Sequence, residues 1–493
     1  QGNNMRYEQY ARLADGAWSM TDASSYEYDV ENRWVKRTRA NGRVYERMMT
    51  CCGPLWERDE NGVTTSYSYN TARQLVETIR SAVTDGETMI TPETITSYTR
   101  DALGKITSLR RDAGPMTTVE SREYDLLGRL IRETDILGRT TVRSYSGDGL
   151  VETVTTPAGA TLITRKSPSG TVVRRYGTGQ QDILYTVEAT AEGIRTTEAV
   201  PGGEGGEPRV VTGSSTVNGF GDLVRIAAAN TLNGENVRTL AYDDKGRLIR
   251  EQLADMAPTL YAYDAFGNRT RAIVALEDEP TILNSRITDY AYVAESREDG
   301  IYRLVSITSY TSSGTPVLQK QAVLLSALSS VLAGKNVMTD PRGQDTVEWT
   351  EYGGGSVRLQ KKTVPGVGSV ALTRVVDGFT TAVTGFDGAT ARRQRTYTET
   401  GITYADTDVR GNVFTAVCDI AGRIISGTDA AGNTTTYAYA QPFDLPTCVT
   451  NALGKTACSV YDIRGRKEAE WGTAIQPAVY AYDAAGHIVS LST

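Results

Sequence analysis

Polar turn signals divide much of the chain into stretches of six or seven residues, and aromatic side chains inside those stretches stand two apart. Tyr261 with Tyr263 and Tyr480 with Tyr482 are the clearest pairs. A period of two is the strand period, so both rings of a pair fall on one face of a sheet. Six or seven residues is also an ordinary strand length. The punctuation is Asp-x-x-Gly, at Asp59, Asp101, Asp125, Asp135, Asp243, Asp264, Asp340, Asp408, Asp419, Asp429, Asp462 and Asp483. A substituted copy starts at Asn451. Neighbouring copies lie 10 or 11 residues apart, as from Asp125 to Asp135 and from Asp408 to Asp419. Alternate copies lie 21 apart, as from Asp243 to Asp264 and from Asp462 to Asp483.

The unit carries its own turn chemistry. An Asp carboxylate can accept a backbone N–H two residues on, and the Gly can adopt positive φ without a Cβ clash. A step of 10 or 11 is too short for a helix plus a strand, so each double unit reads as a β-hairpin added to one growing antiparallel sheet. The Arg that follows many of the glycines would start the outgoing strand, either paired to the Asp of a neighbouring unit or solvated. Calcium is a poor reading of these acids: the loops lack the clustered carboxylates and twelfth-position Glu of helix-loop-helix calcium sites.

Composition agrees with many short strands: 27 Tyr against 6 Phe and 5 Trp, with 48 Gly and 15 Pro. A net charge of −7 argues against a nucleic-acid binder, which would present a basic face. A single histidine, His487, excludes a multi-histidine metal centre. Five cysteines in 493 residues are no disulfide framework. Cys51 and Cys52 are adjacent, where a bridge would be strained. Cys448 and Cys458 flank the turn Asn451–Gly454 and could face each other across a hairpin; the preferred reading is two small buried residues. The most apolar run, Ala322–Ala333, has 12 residues between Lys320 and Lys335, short of the about 20 that span a bilayer. It reads as a short helix or as two buried strands.

Tyr124-Asp125-Leu-Leu-Gly128-Arg129, Tyr242-Asp243-Asp-Lys-Gly246-Arg247 and Tyr461-Asp462-Ile-Arg-Gly465-Arg466 share Tyr-Asp-x-x-Gly-Arg. Tyr263-Asp264-Ala-Phe-Gly267-Asn268 and Tyr482-Asp483-Ala-Ala-Gly486-His487 are near relatives, and Tyr28-Asp29 with Asn32-Arg33 reads as a first copy with Asn in the Gly place. These residues resemble the YD repeats of the Rhs family, which includes bacterial polymorphic toxins, C components of insecticidal toxin complexes, wall-associated proteins and teneurins. The resemblance runs from about Tyr26 to the end of the chain. It implies an all-β fold: YD hairpins in one extended, coiled antiparallel sheet, a hollow shell or trough. In toxin members the shell encloses a toxic C-terminal segment; in teneurins it is part of an adhesive extracellular structure. Toxin members close the shell with a core segment holding a D-P-x-G motif and an aspartyl self-cleavage site. Here Asp340-Pro341-Arg342-Gly343 matches those letters but lies mid-chain, in phase with the repeat, and reads as a repeat copy.

Residues 1–493 read as one repeat array, clear at 26–175, 240–272 and 404–487 and degenerate at 176–239 and 273–403. Pro201–Pro208 is Gly- and Pro-rich and reads as a loop. Gly353-Gly354-Gly355 reads as a turn or linker, and 356–403 as alternating strands with turns at Asp377-Gly378 and Asp387-Gly388. The chain starts at Gln1 and stops in phase with the repeat, as expected of part of a shell.

No residue set announces catalysis. His487 stands at a repeat position, Asp408 of the pair Asp406/Asp408 is a repeat Asp, Asp22, Asp29 and Glu31 form no telling pattern, and Cys51-Cys52 has no local histidine. The expectation is a non-catalytic shell segment of a large exported or surface-displayed protein, without cofactor or metal, enclosing a polypeptide cargo. Its partners would be further repeats, a closing core and a C-terminal cargo of the same parent chain, with no nucleic acid and no membrane span. A cell-surface adhesion or glycan-binding module, contacting a surface protein or glycan, is the alternative, and a glycosidase in the degenerate middle a weaker one. The residues expected to matter are structural: the Tyr, Asp, Gly and Arg of the motifs above.

Overall fold

A computed structural model describes residues 5–12, 18–201, 210–230, 234–277, 279–329, 331–440, 442–483 and 485–493. Forty-one strands form one antiparallel sheet, and two more, Val83–Asp85 and Thr88–Thr91, form a separate hairpin. No helix occurs among the described residues. The pairing is sequential, each strand joining the one before and the one after it, from Met5–Arg12 to Ile488–Ser492. One step differs: Leu75–Arg80 pairs with Thr94–Arg100, and the small hairpin is extruded between them. The first and last strands have one sheet partner each, so the sheet is not closed into a barrel.

Successive turns of such a meander alternate between its two edges, and the two edges differ in sequence. One carries Tyr-Asp turns, at Asp29, Asp125, Asp243, Asp264, Asp462 and Asp483. The other carries Thr-Asp or Thr-Asn turns, at Asp135, Asp340, Asp408, Asp429 and Asn451. We call these the YD and TD edges. At the YD edge the register slips, as between Glu123/Tyr124, Ala241/Tyr242 and Val460/Tyr461. At the TD edge the pairs Thr134↔Thr140, Thr428↔Thr434 and Thr450↔Thr456 run straight on. There the threonine hydroxyls meet across the hairpin, 3.2 Å apart at Thr134/Thr140 and 2.9 Å at Thr428/Thr434. A bulge bends its strand and raises the local twist. Bulges repeated at one edge therefore curl the ribbon consistently in one sense.

The ribbon coils back on itself, bringing together residues 284 to 305 apart in the chain. The contact always joins the TD edge of the earlier turn of the coil to the YD edge of the later one. Arg358 bonds Asn61, Arg374 bonds Asp85, and Arg80 and Thr91 bond Asp377 at 2.6 and 2.7 Å. Further along, Arg139 Nη1 lies 2.8 Å from Asp444 Oδ1, and Arg464 Nε donates to the Thr178 carbonyl at 2.7 Å. An apolar cluster sits inside this seam: Val63, Val83 and Ile90 from the first turn meet Val357 and Val376 from the second, with Leu359 and Phe379 against them. The extruded hairpin thus acts as a peg between two turns of the coil. A second cluster, Tyr302, Ala322 and Val337, is formed by three consecutive strands, Gly300–Tyr310, Pro316–Ala327 and Leu332–Thr339.

The run Ala322–Ala333 falls on Pro316–Ala327 and Leu332–Thr339, so the strand alternative is the one found. Gly353–Gly355 forms a turn closed by Gly353 N–H to the Val357 carbonyl at 3.0 Å. Asp340–Gly343 is a repeat turn, with Gly343 N–H on the Asp340 carbonyl at 3.0 Å. Most of the loop Pro201–Pro208 lies outside the described residues. One cysteine reading is corrected: Cys448 and Cys458 stand directly opposite on paired strands and form a disulfide. The hairpin aligns the two positions, and side chains opposite each other on one face approach closely enough to bond.

Candidate functional site

The YD edge is the most ordered chemistry in the chain. In the turn at Asp125, Oδ1 accepts the N–H groups of Leu127 and Arg129, both at 2.9 Å, and Oδ2 accepts Arg129 Nε at 2.7 Å. Gly128 N–H closes the turn on the Asp125 carbonyl at 2.9 Å, with Gly128 at φ +75°. Asp243/Gly246/Arg247 and Asp462/Gly465/Arg466 repeat this set. Asn268 replaces Arg at Asp264/Gly267, and His487 does so at Asp483/Gly486, its ring Nδ1 3.1 Å from Asp483 Oδ2. Asn32 takes positive φ, +61°, in the Gly place of the first copy. All these carboxyls are held below their ordinary range. For Asp125 the main cause is the Arg129 backbone N–H, for Asp243 the Arg247 guanidinium; at Asp462 burial opposes the shift and the bonds from Arg466 outweigh it.

The motifs are linked in series. Tyr263, Tyr461 and Tyr482 each donate their hydroxyl to a carbonyl fifteen residues earlier, of Leu248, Pro446 and Lys467, at 2.8, 2.9 and 2.7 Å. Tyr124 and Tyr242 donate likewise to the carbonyls of Ile106 and Leu223, 18 and 19 residues earlier, at 3.2 and 3.0 Å. Those carbonyls lie at or close to the start of the strand leaving the previous YD turn. The Arg of one turn then covers the Tyr of the next: Arg247 lies 5.0 Å from the Tyr263 ring centroid and Arg466 4.5 Å from that of Tyr482. The sequence expectation for this Arg is therefore corrected. It pairs with the Asp of its own turn, four residues back, and reaches the neighbouring unit through its ring. A second row follows one step inward: Tyr67, Tyr261 and Tyr480 donate to Glu57, Glu251 and Glu470 at 2.9, 3.4 and 2.7 Å.

Sequence reading missed a group of turns with the same backbone closure. Ser146, Thr156, Ser167, Asn218 and Thr311 each start one, ended by Gly three residues later. The available signal was a small polar residue three before Gly; requiring Asp hid it.

Four of the acidic candidates have partners within the sheet. Asp406 forks onto Arg393, Asp408 holds its turn with Asn412, and Asp29 and Glu31 both pair with Arg33. The side chain of Asp22 lies outside the described residues. Cys51 and Cys52 bring their sulfurs within 3.1 Å in an exposed YD-edge turn. Among the described residues no group of three or more His, Cys, Asp or Glu is placed to hold a metal ion.

One cavity, about 410 Å³, lies in the degenerate middle and is lined by Asp299, Lys335, Val347, Trp349, Glu351 and Thr363 among others. Asp299 accepts Lys335 Nζ at 2.6 Å and the Tyr302 hydroxyl at 2.9 Å. Glu351 accepts Lys361 Nζ and Trp349 Nε1, both at 2.7 Å. Burial pushes Asp299 up but Lys335 and Tyr302 outweigh it; Lys361 and then Trp349 lower Glu351. The neighbouring cations and donors thus favour the charged form of both carboxyls.

Residues 124–161 match the RHS Repeat family model. No curated protein matches the chain by sequence. Among solved structures, the crystal structure of TcdB2-TccC3 aligns with 98% of this chain at 10% identity and a TM-score of 0.51. A TcdB2-TccC3-TEV structure aligns with 96% at 12% identity and a TM-score of 0.36. The chain spans about a third of the length of these structures, 32% and 31%. The first likeness is one of fold: a long, coiled antiparallel sheet. The matched segment identifies an RHS repeat at residues 124–161, and the same Tyr-Asp-x-x-Gly turn recurs in phase at Asp243, Asp264, Asp462 and Asp483.

Proposed function

We propose that this chain is a non-catalytic wall segment of a large, exported Rhs-type shell that encloses a polypeptide cargo, residues 1–493 forming one continuous array. The observation behind the reading is the seam. A ribbon that coils past one full turn and bonds edge to edge makes a wall without gaps between its turns. Enclosure needs such a wall and needs no reactive group. The repeat carboxylates are spent on turns, and the hydroxyls of Tyr124, Tyr242, Tyr263, Tyr461 and Tyr482 on main-chain carbonyls. Partners would be further segments of the same parent chain. The test is intact mass and C-terminal peptide mapping of the native polypeptide from producing cells. A chain that continues into a closing core, with a cleaved tail peptide retained, supports enclosure. A native chain with no such tail overturns it.

The Trp349 cavity favours a second reading, a glycan-binding surface. Its two carboxylates are balanced by Lys335 and Lys361, and it joins an indole to apolar walls, which suits a neutral sugar with a C–H face and hydroxyls. Saturation-transfer NMR with lactose, cellobiose and N,N′-diacetylchitobiose tests it. Binding abolished by Trp349→Ala supports the reading; no saturable binding to any of the three removes it.

A further inference from the structure

The seam covers only part of each edge, and the uncovered parts carry a pattern that enclosure does not explain. Along the YD edge of the first coil turn, Val30, Leu103, Leu126, Leu127, Phe220 and Phe266 are 72 to 100% exposed. All six stand at the second or third position of a turn, at the tips of the edge. Where the seam covers turn tips, the equivalent residues are more covered: Ile136 and Leu137 on the TD side and Ile420 and Ala421 on the YD side are half-buried, and Ile463, beside Arg464, is 47% exposed. The TD edge of the second coil turn is uncovered and repeats the contrast, with Val409 and Leu453 exposed at its tips. Single exposed apolar residues are ordinary, but a row of them along one edge marks a contact surface.

We propose that this edge binds a second copy of the chain, the free YD edge of one copy seating on the free TD edge of the next. The argument is continuity with the seam. Inside one chain, YD-edge turns from Gly353 onward already rest on TD-edge turns, and the chemistry repeats: guanidiniums from the YD side, as Arg395 and Arg464, reach main-chain carbonyls of Ile90 and Thr178 on the TD side. The chain displays an uncovered stretch of each kind. The two are different surfaces of one molecule, so the contact is head to tail and does not close on a dimer. The proposal does not rest on enclosure, and the single-edge variants test it separately from peptide mapping of the native chain.

Sedimentation velocity on the 493-residue chain, from about 1 to 100 µM, reads the association. The expected result is a series of species growing with concentration. A YD-edge variant, Leu126→Asp with Leu127→Asp and Phe266→Asp, is expected to be monomeric, as is a TD-edge variant, Val409→Asp with Leu453→Asp. Each keeps one intact edge, so mixing them is expected to give a dimer and nothing larger. These positions are exposed turn tips, and unchanged circular dichroism and melting confirm that folding is intact. A parent chain that stays monomeric throughout overturns the proposal, and so do single-edge variants that associate like the parent.

Discussion

Val376 is fully buried at the centre of the seam, and replacing it with Ala tests what holds the coil together. The change removes two carbons. At about 0.8 kcal/mol per methylene the transfer loss is roughly 1.6 kcal/mol. Incomplete collapse around the cavity raises the total to about 2–3 kcal/mol. The polar contacts of the seam are weaker partners. Arg374–Asp85 and Arg80–Asp377 are each partly open to solvent, and such pairs contribute about 1 kcal/mol or less. Val376→Ala should therefore loosen the seam more than Asp85→Ala. In a repeat array the loss stays near its source. Amide hydrogen exchange reads it residue by residue: Val83–Thr91 and Ala371–Thr384 should exchange roughly thirtyfold faster, about 2 kcal/mol in the opening equilibrium. The hairpin Thr140–Thr155 should be unchanged. An equal rise there, or an effect of Asp85→Ala as large as that of Val376→Ala, would refute a seam held by its apolar cluster.

Gly267→Ala meets open space at φ +88° and should lower the urea midpoint by a backbone cost of about 1 kcal/mol, whereas at Gly472 a Cβ would stand 2.0 Å from the Thr456 carbonyl, so Gly472→Ala should be several times worse. Tyr263→Phe removes one hydroxyl bond and leaves the Leu248 carbonyl short of a donor, a loss of about 1 kcal/mol in the same assay. The repeat carboxyls titrate lower folded than unfolded, so their contribution is complete above the unfolded value of about 4 and fades as pH falls through the folded one. Urea midpoints from neutral to acid pH should follow that limb, and Asp243→Asn should flatten it; an unchanged slope would count against the turn carboxylates. Thiol alkylation of the unfolded chain should label three cysteines without reductant and five with it, since Cys448 and Cys458 are bonded.

Much of this fold is legible in the sequence because the repeat is held by local chemistry. Asp, the two N–H groups it accepts and the Gly that closes the turn lie within five residues, so spacing alone reveals the hairpins. The same logic was available for the Arg, whose partner is the Asp four residues back, yet a Tyr-Asp-Arg string does not display the stacking on the next ring. The seam left no such trace. Asp85 and Arg374 are ordinary residues in their own neighbourhoods, and only the curl of the whole ribbon makes them partners. The middle of the chain looked degenerate because its strands lengthen to 11 or 12 residues, as in Arg286–Arg297 and Gly300–Tyr310, which breaks the 10–11 rhythm while the pairing continues. The difference between the two edges was half visible: Tyr before Asp drew notice, Thr before Asp did not.

The seam also makes the molecule a counting device. Its partners are matched by how many hairpins lie between them, not by any local code. Exchanging one hairpin for another of equal length leaves the count intact. Removing one anywhere between Thr94 and Tyr352 would shift every later turn one place along the wall, setting Asp377 beside the wrong neighbour and leaving the peg at Val83–Thr91 without its socket. Sequence within a hairpin is therefore free to drift, while the number of hairpins per circuit is locked.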